Sequence, residues 1–113
     1  MKPKLQIEFL FWDDCPSHPK AWERLEEALR RTGRDAEIRR IELKTEEEAE
    51  RTGFPGSPTI RINGHDIDQE GARGQPLGLT CRIYRDEKGR GIPVPSESLI
   101  REAILNAQTG ESL

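Results

Sequence analysis

The pattern of residues 5–43 most constrains the fold, because it predicts a strand, a helix and a second strand in succession. From Leu5 to Phe11 apolar side chains occupy alternate positions, the period of a strand, and Leu10 adds an apolar group on the second face. Residues 18–32 carry apolar side chains at helical spacing, and residues 36–43 predict the next strand. A strand–helix–strand sequence implies a right-handed crossover and therefore a parallel pair.

The rest of the chain predicts a mixed sheet. Thr45 and Glu48 form a capping-box pattern that opens a short acidic helix, and the Asn-Gly pair within residues 59–67 predicts a hairpin. A last helix follows Ser96, after an inserted loop and short strand at residues 68–94. We therefore expect a single α/β domain over residues 1–113, ordered β-α-β-α-β-β-α. It would have about four strands in a mixed sheet, helices on both faces and an insertion before the last helix.

Charge and composition narrow the class of partner. The 113 residues include 18 basic and 21 acidic ones, for a net charge of −3, which argues against nucleic acid or a membrane surface as partner. No apolar run approaches the length of a membrane span and no signal peptide is evident, so we expect a cytoplasmic protein. Helices rich in Arg and Glu are typical of a thermophilic source. Two cysteines in a reducing compartment indicate redox, catalytic or metal chemistry more than a structural bridge.

Cys15 lies where the first strand pattern ends and the first helix pattern begins. Backbone amides at a helix start stabilise a thiolate, the nucleophilic form of cysteine, whereas the charges of Asp13 and Asp14 oppose it. The helix could begin at Pro16 or after Ser17 as N-cap. Ser17 is the sterically easier N-cap, because Pro19 then falls in the first turn, although Cys15 then lies before the cap and is less affected by the helix dipole. The alternatives for Cys15 are an activated nucleophile and an inert, packed thiol.

Four segments taken in order carry a resemblance to a known fold. They are the end of the first strand at Trp12, the segment Cys15-Pro16-Ser17-His18 in the place of a Cys-x-x-Cys motif, the segment Gly56-Ser57-Pro58-Thr59, and the hairpin Ile60-Arg61-Ile62-Asn63-Gly64. This arrangement resembles the thioredoxin fold over about residues 4–67 and the final helix. The whole chain further resembles small bacterial thioredoxin-like proteins, some with selenocysteine and some labelled alkylmercury-lyase-like.

The resemblance implies roles for individual residues. Pro58 would follow a cis peptide bond beside the reactive sulfur, and the backbone of Ser57 would be free to pair with an extended substrate. The alternative is a trans bond that merely ends the loop. Trp12 and Pro16 would also contact the substrate. Because His18 replaces the second cysteine of the motif, no dithiol can form within it. His18 would instead donate a proton to the leaving thiol, or would simply lie exposed in the first helical turn.

Cys81 offers a second thiol. The loop at residues 68–80 could bring it beside Cys15 as a resolving thiol, or it could be a small apolar residue in a short strand at residues 81–85. Cys15, His18, Cys81 and His65 lack the spacing of a usual zinc site, so we expect no native metal.

The stretch around Cys81 is basic, with Arg73, Arg82, Arg85 and Lys88. These side chains would either hold an anionic group of a small thiol substrate or belong to the solvated ionic surface.

These features predict a thiol–disulfide oxidoreductase without a cofactor. Cys15 would attack a disulfide as the nucleophile, and Cys81 or an external thiol would resolve the product. The expected partner is a protein containing a thiol or disulfide, or a small thiol substrate. The alternative is a non-enzymatic thiol module that binds soft metal ions such as mercury, or a partner protein.

Overall fold

A computed structural model describes residues 4–111, and their side chains as far as residue 107. The predicted order of elements is confirmed, with three additional short elements in the insertion. In chain order the elements are β1 Leu5–Phe11, α1 His18–Thr32, β2 Ala36–Glu42, α2 Glu46–Thr52, β3 Thr59–Ile62, β4 His65–Asp66, α3 Gln69–Arg73, β5 Tyr84–Arg85, β6 Gly91–Ile92 and α4 Glu97–Glu111.

The first four strands form one mixed sheet in the order β2-β1-β3-β4. Strand β1 pairs in parallel with β2, as the strand–helix–strand pattern predicts, and antiparallel with β3. Strands β3 and β4 form the predicted hairpin around Asn63-Gly64. The sheet confirms the predicted α/β class and is consistent with a thioredoxin-like fold.

Helices cover both faces of this sheet. On one face α1 and α4 pack on alternate residues of β1, among them Ile7 and Phe9, through Leu25 and Ile104. On the other face α2 packs on Leu10, together with Leu43, Ala49 and Phe54. The second apolar face of β1 therefore has the buried role that its sequence predicts.

The helix ends follow the predicted capping signals. Ser17 is the N-cap of α1, with Pro19 in the first turn, although the Ser17 side chain makes no capping hydrogen bond. Helix α2 has the complete capping box formed by Thr45 and Glu48. None of the helices within residues 4–111 has the length and apolar character needed to cross a bilayer.

The insertion is more ordered than its composition suggests. Residues 69–73 form α3 because the Asp68 carboxylate accepts a hydrogen bond from the Gly71 N–H at 3.0 Å. The predicted strand at residues 81–85 is only partly correct. Tyr84–Arg85 pairs with β6, whereas Cys81 forms a single parallel bridge with Ser57. That bridge joins the insertion to the loop that precedes β3.

Candidate active site: two thiols beside Ser57

Cys15 lies in the loop between β1 and α1, with its sulfur turned inward. Its N–H donates to the Trp12 carbonyl at 3.0 Å, which closes a turn over the two exposed aspartates. The side chain is buried, with 2% of the residue exposed. The sulfur accepts a hydrogen bond from the Ser17 N–H at 3.4 Å and donates to the Ser57 carbonyl at 3.5 Å. The amide of the N-cap residue is therefore the backbone dipole that faces this sulfur.

Ser57 connects the loop of Cys15 to the insertion. Its N–H donates to the Thr80 carbonyl at 2.8 Å, and its carbonyl accepts from the Arg82 N–H at 2.9 Å. Its hydroxyl accepts from the Trp12 N–H at 3.0 Å. The Ser57–Pro58 peptide bond is cis, as the resemblance implies. The backbone groups of Ser57 that were expected to be free for an extended substrate are thus already bonded to this chain's own residues.

The bridge to Ser57 brings Cys81 to Cys15. Burial, then the charge of Cys15 and hydrogen bonding between the two thiols, raise the pKa of Cys81 above its usual value. Both cysteines are free thiols, and they differ in access, because Cys81 is exposed whereas Cys15 is buried. The structure therefore holds a reduced thiol pair in which one member faces solvent.

A buried ion pair anchors the segment that carries Cys81. Arg82 is 1% exposed, and its guanidinium donates to both carboxylate oxygens of Asp66, at 2.7 and 2.9 Å. It also donates to the Thr59 hydroxyl and the Asp68 carbonyl, each at 3.1 Å, and lies 4.4 Å from the Tyr84 ring. Burial has the largest single effect on the pKa of Arg82 and would lower it. Hydrogen bonding to Asp66, together with the charges of Tyr84, Asp66 and Asp68, outweighs burial, so the pKa is raised.

The expectation that Arg82 belongs to the solvated surface is therefore wrong. Asp66 at the end of β4 supplies a countercharge inside the fold, so the guanidinium can be buried with bidentate geometry. The basic neighbours Arg73, Arg85 and Lys88 are exposed, as expected.

Two further contacts fix the same segment. Gly56 has φ +113°, and a Cβ placed on it would lie 3.0 Å from the Arg82 Cβ, so glycine permits both the backbone conformation and the close approach. The hydroxyl of the fully buried Tyr84 donates to the Pro58 carbonyl at 2.6 Å. Neither residue was predicted to belong to the site, although Gly56 stands in one of the segments that carry the resemblance. For Tyr84 the available signal was the alternation of residues 81–85, in which positions 82 and 84 are buried and the other three are exposed.

The other predicted site residues lie around this centre. The contacts that the structure shows for the His18 ring are with Phe11, at 4.7 Å between ring centres, and with Asp13, 3.8 Å from Nε2 to Oδ1, rather than with either thiol. Trp12 packs against the apolar cluster on the α2 face. Pro16 is exposed next to Cys15.

The titratable side chains of residues 4–111 include no group of three or more that could hold a metal ion. His65 is exposed on β4, where it pairs with Ile62 of the sheet. A cavity of about 820 Å³ lies beside it, lined by residues of β4, α3 and α4 and by neither cysteine. The two thiols therefore lie outside this cavity.

The four-stranded sheet, the helices on both faces and the cis bond before Pro58 define a thioredoxin-like α/β protein, here with two adjacent thiols contributed by separate loops. The chain belongs to the family described as Domain of unknown function (DUF2703), whose model matches residues 17–104. The matched stretch includes Cys81 and begins shortly after Cys15. No curated protein and no solved structure matches the chain significantly.

Proposed function

We propose that this protein is a thiol–disulfide oxidoreductase whose redox pair is Cys15 and Cys81. One observation carries the proposal: the Cys15 sulfur donates to the Ser57 carbonyl, and the segment around Cys81 is hydrogen-bonded to the same residue on both sides. The two thiols are also hydrogen-bonded to each other, which supports the proposal that they form a reversible disulfide. We also propose that this chain is related to the small bacterial thioredoxin-like proteins that its sequence resembles.

The chemistry needs no cofactor. Once the Cys15 sulfur has lost its proton, the Ser17 N–H that points at it can donate to the thiolate. In the overall reaction the two thiols are oxidised to one internal disulfide while an external disulfide is reduced to two thiols. An external thiol reductant then restores the dithiol, which is consistent with the reducing cytoplasm as the proposed location.

His18 remains the proposed proton donor for the leaving thiol. It directly follows Ser17, whose amide contacts the Cys15 sulfur, and its Nδ1 atom is buried without a hydrogen-bond partner among the described residues. Replacing His18 by Ala should lower turnover with a small disulfide but leave the yield of internal disulfide unchanged. Equal turnover in the two proteins would remove this role from His18.

The test is oxidation of the whole chain with a small disulfide, followed by peptide mapping and by turnover with hydroxyethyl disulfide and a dithiol reductant. Wild type should yield a Cys15–Cys81 cross-link and show turnover. Cys15→Ser and Cys81→Ser should each abolish the cross-link, and they serve as controls for one another because each keeps one thiol. A wild-type protein that yields no cross-link, or two single variants that retain full turnover, would refute the proposal.

The same thiol pair favours one alternative, the capture of a soft metal ion such as mercury, since two thiolates are suitable ligands for it. This alternative predicts one mercuric ion per chain, lost in either single variant, with no disulfide turnover. A partner protein bound without turnover is the other non-enzymatic outcome. Turnover with a small disulfide therefore separates both from the oxidoreductase.

A further inference from the structure

The two thiols differ in their access to solvent. Cys15 is 2% exposed and its sulfur is hydrogen-bonded to Ser17 and Ser57. Cys81 is exposed, and so is Ile83 two positions further along the chain, with 51% of the residue exposed. The Cys81 residue already faces solvent, whereas contact with Cys15 requires the local structure to open.

We propose that external disulfides exchange first with Cys81, and that Cys15 is the internal nucleophile that closes the disulfide. The inference rests on the proposed function and assigns the first contact to Cys81, whereas the sequence assigned it to Cys15. It also assigns a substrate class, low-molecular-weight disulfides that approach from solvent.

The exchange proceeds in two steps. The Cys81 thiolate, having lost its proton to solvent, attacks one sulfur of the external disulfide, and the other sulfur leaves as a thiolate with the bonding electron pair. Cys15 then loses its proton to solvent, and its thiolate attacks the Cys81 sulfur, forming the internal disulfide and expelling the second external thiolate. In the return direction one thiolate of a low-molecular-weight dithiol attacks the Cys81 sulfur, and Cys15 leaves as a thiolate that faces the Ser17 N–H. The second thiolate of the dithiol then attacks the mixed disulfide, which forms the reductant's own disulfide and releases Cys81 as a thiolate.

The reactivity of Cys81 fits this order. Although the residue is exposed, partial desolvation and the neighbouring Cys15 raise its pKa, so a smaller fraction is ionised at neutral pH. A thiolate of higher pKa is, however, intrinsically the better nucleophile. The first step should therefore accelerate as pH rises.

The substrate class follows from the occupied backbone of Ser57. Thr80 and Arg82 already bond to its N–H and its carbonyl, and the buried ion pair of Arg82 with Asp66 holds them there. An extended polypeptide would have to displace this segment before it could pair with Ser57. A compact disulfide that meets only the exposed sulfur needs no such displacement.

The test uses glutathione disulfide as the probe, with acid quenching and mass spectrometry of the whole chain. Cys15→Ser should accumulate a glutathione adduct on Cys81. Cys81→Ser should form an adduct on Cys15 at least about tenfold more slowly, because a buried thiol reacts only after local opening. In wild type, early quenching should place the transient adduct on Cys81, which keeps the test decisive if a variant fails to fold.

An equally fast adduct in Cys81→Ser, or a transient adduct on Cys15 in wild type, would overturn the order of exchange. Faster reduction of the protein disulfides of insulin than of glutathione disulfide would overturn the substrate class. Both outcomes differ from failure of the proposed function, in which wild type forms no internal disulfide at all.

Discussion

Removal of the Asp66 carboxylate tests whether the buried ion pair holds the Cys81 segment in place. In Asp66→Ala the Arg82 guanidinium loses two charge-assisted hydrogen bonds of 2.7 and 2.9 Å and keeps only the Thr59 hydroxyl and the Asp68 carbonyl. Hydrogen bonds to charged groups contribute about 1.5–3 kcal/mol each, and breaking a buried pair on one side costs about 3–5 kcal/mol. We therefore expect the free energy of unfolding to fall by about 3–5 kcal/mol, a large share of the roughly 5–15 kcal/mol of a typical domain.

Urea unfolding followed by tryptophan fluorescence measures this change, provided that the slope of the free energy of unfolding against urea concentration is the same in both proteins. The matched control is Glu8→Ala, which removes a carboxylate from a more exposed cross-strand pair with Arg39 at 3.4 Å and should cost no more than about 1 kcal/mol. Adding Arg82→Met to Asp66→Ala should recover part of the loss, because no unpaired charge then remains buried. If Asp66→Ala costs no more than Glu8→Ala, the reasoning about the ion pair is refuted.

Three further predictions concern backbone and side-chain contacts. Thr45→Ala should lower the free energy of unfolding in urea by about 1 kcal/mol, because the Thr45 hydroxyl caps α2. Ser17→Ala should lower it clearly less, since the Ser17 side chain makes no capping hydrogen bond. Equal losses would contradict the cap assignments. Gly56→Ala and Gly89→Ala both place alanine at positive φ, but only the first adds a Cβ 3.0 Å from a neighbouring segment. Gly56→Ala should therefore lower the free energy of unfolding by about 1–3 kcal/mol more than Gly89→Ala. Equal losses would argue against the close approach. Burial raises the pKa of Tyr84, the single tyrosine, so ultraviolet titration of the native protein should show no tyrosinate near pH 10. The free energy of unfolding should fall as pH rises beyond about 10, because only the unfolded chain then releases this proton. A native titration close to pH 10 would show that Tyr84 is not buried.

The elements of the main sheet could be predicted because their signals are local. The period of β1, the capping box of Thr45 and the Asn-Gly turn after β3 each depend on residues that are neighbours in the chain. The position of Pro19 favoured Ser17 as N-cap over a helix that begins at Pro16, and the structure has Ser17 there. Local geometry decides these features, so the structure agrees with them.

The insertion could not be predicted to the same depth because its contacts are distant in sequence. Arg82 pairs with Asp66, sixteen positions earlier, and such a partner has no local signature. A charged residue in a polar stretch is normally exposed, so the general rule on burial gives the wrong answer for Arg82. The five-residue α3 depends on one capping carboxylate and has too few residues to show a helical period.

The buried arginine also explains how a thiol from a distant loop keeps its register against Ser57. Side chains alternate along the segment, so a slip of one residue would turn Cys81 inward and Arg82 outward. An apolar side chain at position 82 could be buried in several orientations, whereas a guanidinium bonded to Asp66, Thr59 and the Asp68 carbonyl fits in one. A slipped segment would leave the Asp66 carboxylate buried without its partner, at a cost of several kcal/mol, so the ion pair selects the register that places the two sulfurs together.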